Sequence, residues 1–316
     1  MLGRTADNLY WIGRYVERAE NTARLLDVTY RMALLPSVAD KQESQWRPAV
    51  MVGPDPEAFV RRYGQPSAES VIEYMAFDAA NPSSIRASLA QARENARAER
   101  IAISSEMWES LNATWLDLEQ RKVKDLKRDG PRAFFDWVKE RSHLFRGVAF
   151  GTMYRNEAFH FLRLGTFLER ADNTARILDV KFHLLLPETE KVGGSVDYYQ
   201  WGALLRSVSA FRAYRLAYRD TIEPRKVAEL LVLDPAMPRS LHHCFEAATD
   251  ILESLAPGKR IECKRVAGEM HADLRYGRID RLFDQGLHEF LEHFMQRNNA
   301  LSETIQRDFS MSLQYG

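Results

Sequence analysis

The segment ERAENTARLLDV at residues 17–28 returns as ERADNTARILDV at 169–180. Ten of the twelve positions are identical, and the two exchanges, Glu20 for Asp172 and Leu25 for Ile177, keep charge and apolar character. A polar pattern held twice over about three helical turns constrains the fold strongly, because the surroundings of one copy must suit a nearly identical second copy.

The correspondence runs beyond the motif. Gly13 matches Gly165, four residues before each Glu, and Trp46 answers Trp201. VIEYMAFDAANPSSI at 71–85 answers VAELLVLDPAMPRSL at 227–241, with Asp and Pro in register. SEMWESL at 105–111 resembles GEMHADL at 268–274, and FDWVKERSHLF at 135–145 more faintly resembles LEHFMQRNNAL at 291–301. The order is the same in both halves. It predicts an all-α, tandemly duplicated helical bundle whose pseudo-two-fold halves, 1–150 and 151–316, share one central core. Two long copies do not make a solenoid, which needs shorter repeats and more of them.

Apolar residues at Leu9, Ile12, Val16, Ala19, Ala23 and Leu26 have the three-and-four spacing of a long helix from Asp7 to about Leu35, ended by Pro36. Phe159, Leu162, Leu164, Leu168, Ala171 and Leu178 repeat this over 155–186, before Pro187. A helix-rich run is expected from Asn81 or Ser83 to about Leu118, with a shorter counterpart at MPRSLHHCFEAATDILESL. Further helices are expected over 131–148, 196–218, 222–232 and 278–312. The stretch 36–66, rich in Pro, Gly, Ser and charge, reads as a long loop with short helices.

The 44 basic and 44 acidic residues cancel, which argues against the basic footprint of a nucleic-acid binder. Cys244 and Cys263 lack zinc or redox spacing. No apolar run approaches the ~18–20 residues of a membrane helix, and the first twenty residues lack a signal-peptide core. A soluble cytoplasmic protein without cofactor is the expectation. No Gly-rich strand-to-helix turn for a nucleotide phosphate is present.

On a helical wheel of about 100° per residue, Glu17, Glu20, Asn21, Arg24 and Asp27 fall within one arc, and Glu169, Asp172, Asn173, Arg176 and Asp179 within its counterpart. Arg18 and Arg170 lie apart, on the apolar sides. The spacing sets Glu20 near Arg24 and Arg24 near Asp27. Three readings follow: a solvated face, a polar network joining the halves, or a ligand or partner site. A solvated face requires polarity but not the same residues twice. A mid-helix glycine costs about 0.5–1 kcal/mol relative to Ala, so Gly13 and Gly165 suggest close backbone approach. If the motif helices cross there, Glu17 meets Arg170 and Arg18 meets Glu169.

LGRTADNLYWIGRYVERAENTARLLDV, FLRLGTFLERADNTARILDV and the NPSSI…ARENARAERIAISSEMWESLN block together resemble the bacterial alpha-E domain family, helical proteins of unknown function named for a Glu-Arg motif. The similarity covers essentially the whole chain, and both Glu-Arg pairs are intact. The resemblance implies a genomic setting beside, or fused to, a circularly permuted ATP-grasp protein, often with a transglutaminase-like protein. It thereby implies a role in an ATP-dependent amide- or peptide-forming system.

Other constellations are weaker. His288, Glu289, Glu292 and His293 form neither HExxH nor HxxEH, which argues against zinc. His242, His243 and Cys244 point in different directions on a helix and read as packing and surface. Ser104, Ser105 and Glu106 lack a histidine pattern that would activate a nucleophile. Arg93, Asn95, Arg97, Arg100 and Glu106 are secondary candidates for a phosphate or carboxylate site. Trp11, Trp46, Trp108, Trp115, Trp137 and Trp201 read as core. Three functional classes remain: an accessory module that binds an ATP-grasp ligase or its substrate, an enzyme using Glu17 and Glu169 as acid or base, and a self-associating structural protein.

Overall fold

In a computed structural model, residues 1, 3–34, 42–53, 55–124, 126, 130–184 and 195–310 are described. They form fifteen α-helices and no strand. The longest are α1 (Gly3–Ala33) and α8 (Glu157–Leu184), which carry the two motif copies. Between them lie α2 (Gln42–Val52), α3 (Pro56–Tyr63), α4 (Ala68–Ile72) with a π-helical turn over Glu73–Phe77, α5 (Ile85–Ala98), α6 (Ser105–Gln120) and α7 (Arg132–Thr152). After α8 come α9 (Ser195–Ser207), α10 (Phe211–Tyr218), α11 (Pro224–Val232), α12 (Leu241–Leu255), α13 (Glu262–Arg275), α14 (Ile279–Gln285) and α15 (Leu287–Asp308).

The two motif helices cross at their glycines. A methyl group on Gly13 would lie 2.0 Å from the carbonyl oxygen of Leu162, and one on Gly165 would lie 2.0 Å from that of Tyr10. The backbones therefore touch, and only a residue without Cβ fits at either position. Around this crossing α1 packs on α5 and α7, while α8 packs on α12 and α15. One apolar cluster runs through both sets, from Ala6 to Ile305. Ser142 Oγ on α7 donates to the Val16 carbonyl, and Asn298 Nδ2 on α15 donates to the Leu168 carbonyl.

Capping explains where the outer helices start. Ser84 Oγ accepts from the Ala87 amide at the head of α5, and Ser240 Oγ accepts from the His243 amide at the head of α12. Several expected runs are broken. The run to Leu118 divides because Ser104 caps a new helix, its Oγ accepting from Met107 N. The 196–218 run divides at Ser209 (φ 57°), and 278–312 at Gly286, whose φ of 95° favours glycine. The 36–66 stretch holds more helix than expected. Asp55 caps α3 with Pro56 in its first turn, and α2 buries Trp46, Ala49 and Val50. Residues 35–41 and 54, with the expected Pro36 stop, lie outside the described residues.

Trp11, Trp46, Trp137 and Trp201 are buried. Trp108 and Trp115 are only partly buried against the core, with Arg93 and Arg100 over Trp108 and Arg86 over Trp115.

Candidate functional site

Helix α1 is buried on nearly every side, and its polar stripe goes inside with it. The stripe is therefore not a solvated face, and burying it requires partners for each charge. The crossing supplies the first of them. Arg170 grips Glu17 with Nε and Nη2, both at 3.0 Å, and Arg18 grips Glu169 with Nε at 2.6 Å and Nη2 at 3.1 Å. Arg18 and Arg170 reach across because they stand off their own polar stripes. Two-pronged guanidinium–carboxylate pairs are the strongest form of this contact. Arg14 Nε adds a third bond to Glu169 at 2.6 Å, and its Nη1 donates to Tyr10 and Ser302.

Three further residues from the second layer close the first motif. Arg239, in the turn before α12, donates to Glu17 Oε1 (2.9 Å), Asn21 Oδ1 (3.0 Å) and Glu20 Oε1 (2.6 Å). Thr174 holds that turn by donating to the Arg239 carbonyl. Arg146 on α7 donates to Glu17 Oε2 at 3.0 Å and also ion-pairs with Glu20. Arg24 Nε donates to Glu20 Oε1 at 2.7 Å, and His143 stands 3.4 Å from the same oxygen. Burial alone would raise the pKa of Glu17, but Arg170, Arg239 and Arg146 bring it below the ordinary glutamate value. Glu20 is likewise opposed by burial, yet Arg239, His143, Arg146 and Arg24 hold it well below that value. Sequence reasoning did not identify Arg146 or Arg239, since both come from elements far from the motif.

Glu169 is held ionised in the same way, at about 2 against the effect of burial, by Arg18 and Arg14. The rest of the second motif is more open. Arg176 Nε donates to Asp172 Oδ2 at 2.6 Å. Facing Asp172, Asn173 and Arg176 is a cavity of about 1080 Å³, bounded also by Trp11, Arg18, Asn21, Leu25, Ser83 and Ser302. Two amide nitrogens there, Asn21 Nδ2 and Asn173 Nδ2, are buried with no hydrogen-bond partner.

The motif aspartates depart from the expected pattern. Asp27 is bound by Arg31 and Lys139, not Arg24, whose Nη1 turns to Ser209. Asp179 meets His288 Nδ1 at 2.7 Å, not Arg176. In each case the arginine is taken by the Glu or Asp one turn earlier.

The secondary candidates lie elsewhere. Arg93 binds Asn112 and Glu94, Arg97 pairs with Glu94, Arg100 lies over Trp108, Asn95 is buried on α5, and Glu106 opens α6. None of them borders the cavity. The fold does bring together His242, Glu246 and His271, with ligand atoms within 4.8 Å of one another. His242 Nδ1 lies 2.8 Å from the Leu233 carbonyl, which leaves Nε2 as the ligand atom. Two histidines and a carboxylate suit a divalent transition metal. Spacing alone does not show this set, because His271 comes from another helix. Cys244 is buried, and burial pushes its thiol up to about 12.

No helix among the described residues is long and apolar enough to cross a membrane. No curated protein and no solved structure matches the chain. Residues 1–309 match the Alpha-E family, described as a predicted alpha-helical domain with a conserved ER motif. The Glu17–Arg18 and Glu169–Arg170 dipeptides that lock the helix crossing are two such ER pairs, and the chain belongs to the Alpha-E family.

Proposed function

We propose that this chain is a helical accessory module of an ATP-dependent amide- or peptide-forming system, holding a substrate for a separately encoded ATP-grasp protein and catalysing nothing alone. The observation that carries this reading is the state of the motif glutamates. Both oxygens of Glu17 and both of Glu169 accept from guanidiniums. A general acid needs a proton near neutral pH, and a general base needs a free lone pair. Carboxylates held ionised by two or three guanidiniums carry no proton to give and are weak bases, which argues against the acid–base enzyme reading. The motif acts instead as a lock that shapes the cavity beside it.

The partner class comes from the resemblance to Alpha-E proteins, with a transglutaminase-like protein as a further candidate. The duplication reading, with halves 1–150 and 151–316, belongs to the same proposal. It is supported by the matched contacts of Ser142 with Val16 and Asn298 with Leu168 and by the reciprocal glycine crossing.

Co-expression with the ATP-grasp protein of the same genome, followed by size-exclusion chromatography, tests the function. Co-elution at micromolar concentration, with no ATP turnover by the isolated chain, is the expected result. Separate elution, together with turnover or peptide modification by this chain alone, overturns it.

A further inference from the structure

The sequence register pairs Ser83 with Arg239 and, one residue beyond the matched 135–145 and 291–301 segments, Arg146 with Ser302. These are the residues that distinguish the two motif sites. Arg146 and Arg239 fill the space over Glu17 and Glu20. At the second motif two serines stand in their places, and both border the 1080 Å³ cavity. Two long cationic side chains are missing from one site and present in the other.

The vacated wall has a definite chemistry. Arg14, Arg18 and Arg176 face Glu169 and Asp172, leaving one positive charge in excess. At the mouth, the exposed Glu303 and Arg307 offset each other. Asn21 is 3% exposed, its oxygen is taken by Arg239, and its amide nitrogen has no partner; nor has that of Asn173. An unsatisfied buried donor is destabilising, and an acceptor in the cavity would satisfy it. Trp11, Leu25, Val50 and Met75 give the same space an apolar side. One surplus charge matches a monoanion better than a phosphate dianion, and the apolar side calls for an organic body. A volume at the top of the usual range for small-molecule sites admits a few residues of peptide.

We infer that the second-motif cavity binds the carboxylate of a peptide, with Arg18, Arg176, Asn21 and Asn173 donating to its oxygens and the apolar wall taking the adjoining side chains. This rests on the accessory-module reading in one respect: a carboxylate is the group that ATP-dependent amide formation activates. The first motif borders a cavity of only about 270 Å³, narrowed by Arg146 and Arg170, and a peptide of that size does not fit there.

Isothermal titration with N-acetyl-leucyl-phenylalanine as free acid, with its C-terminal amide and with inorganic phosphate tests the assignment. The acid binds, and the amide binds at least about tenfold more weakly, as loss of one charge-assisted hydrogen bond implies. Phosphate does not compete at equal concentration. Ser302→Arg restores the side chain found at the matched position of the first motif, and it abolishes binding of the acid. Should that variant fold poorly, Asn173→Leu serves as the second, with binding weakened in the same direction. Equal binding of acid and amide, undiminished binding by Ser302→Arg or Asn173→Leu, phosphate binding without the acid, or no heat from the acid at millimolar concentration each overturn it. Co-elution with the ATP-grasp protein beside a silent titration removes the ligand assignment and leaves the accessory-module reading standing.

Discussion

The two copies of the motif share ten of twelve residues yet sit in unlike environments. Around Glu17 and Glu20, guanidiniums arrive from α1, α7, α8 and the turn before α12. Around Glu169 and Asp172, among the described residues, they come from the two motif helices alone. A motif therefore fixes the crossing, while second-layer residues decide whether the space beside it is filled or open. Ser83 and Ser302, unremarkable alone, are informative as absences relative to Arg239 and Arg146.

The largest effect that can break this comparison is the removal of one charge from each lock. Glu17→Gln strands Arg170, Arg239 and Arg146 around a buried position with only a small cavity beside it and should cost about 3–5 kcal/mol, the usual penalty for breaking a buried pair. Glu169→Gln strands Arg14 and Arg18 beside a cavity that water can enter, and should cost about 2 kcal/mol. Urea unfolding of both variants measures the difference. Equal losses, or a larger loss at Glu169, would show that the second site is as closed as the first.

Next in size, and opposite in sense, is an effect in which the two copies should agree. Gly13→Ala and Gly165→Ala each drive a methyl group into the partner helix's backbone, with the same 2.0 Å approach to a carbonyl oxygen. Backbone cannot yield as a flexible side chain can, so each should lose about 1–3 kcal/mol or more. Thermal melts of the pair should fall together. A marked inequality would mean that the crossing is not reciprocal in energy.

What the sequence revealed and what it concealed follow from distance along the chain. The long motif helices were legible from periodicity, and the Glu17–Arg170 and Arg18–Glu169 pairs from two glycines and a wheel. Helix breaks at Ser104, Ser209 and Gly286 were not, because apolar spacing continues through them while a cap or a positive φ interrupts the backbone. Arg146 and Arg239 escaped notice because a charged residue outside a motif looks like surface until the fold brings it to a buried carboxylate. The cavity escaped for a related reason: it is made by small residues, and a serine in sequence carries no sign of the volume it leaves. The Asp27–Lys139 and Asp179–His288 contacts join residues over 100 positions apart, beyond the reach of helical spacing.

That last pair sharpens the comparison at its smallest scale. Asp27 is held by Arg31 and Lys139, and the hydrogen bond to Asp27 raises the Arg31 pKa above its ordinary value. The matched Asp179 is held by His288, and the hydrogen bond to Asp179 raises the imidazole pKa above its ordinary value. A raised folded-state pKa contributes stability fully below the unfolded value of about 6.5 and loses it as pH climbs through the folded value. Asp27, whose pKa is lowered although burial opposes this, loses its contribution only in acid. Between mildly acidic and mildly alkaline conditions the second pair should therefore weaken while the first stays constant. The His288 side chain is 37% exposed, so solvent screening limits the effect to a few tenths of a kcal/mol. The difference in unfolding free energy between wild type and His288→Gln should be larger at about pH 5.5 than at about pH 8.5, whereas Lys139→Met should show a difference of the same size at both. A His288→Gln difference that does not change with pH would mean that Asp179 is held by contacts other than the imidazolium, and the two aspartates would then be alike.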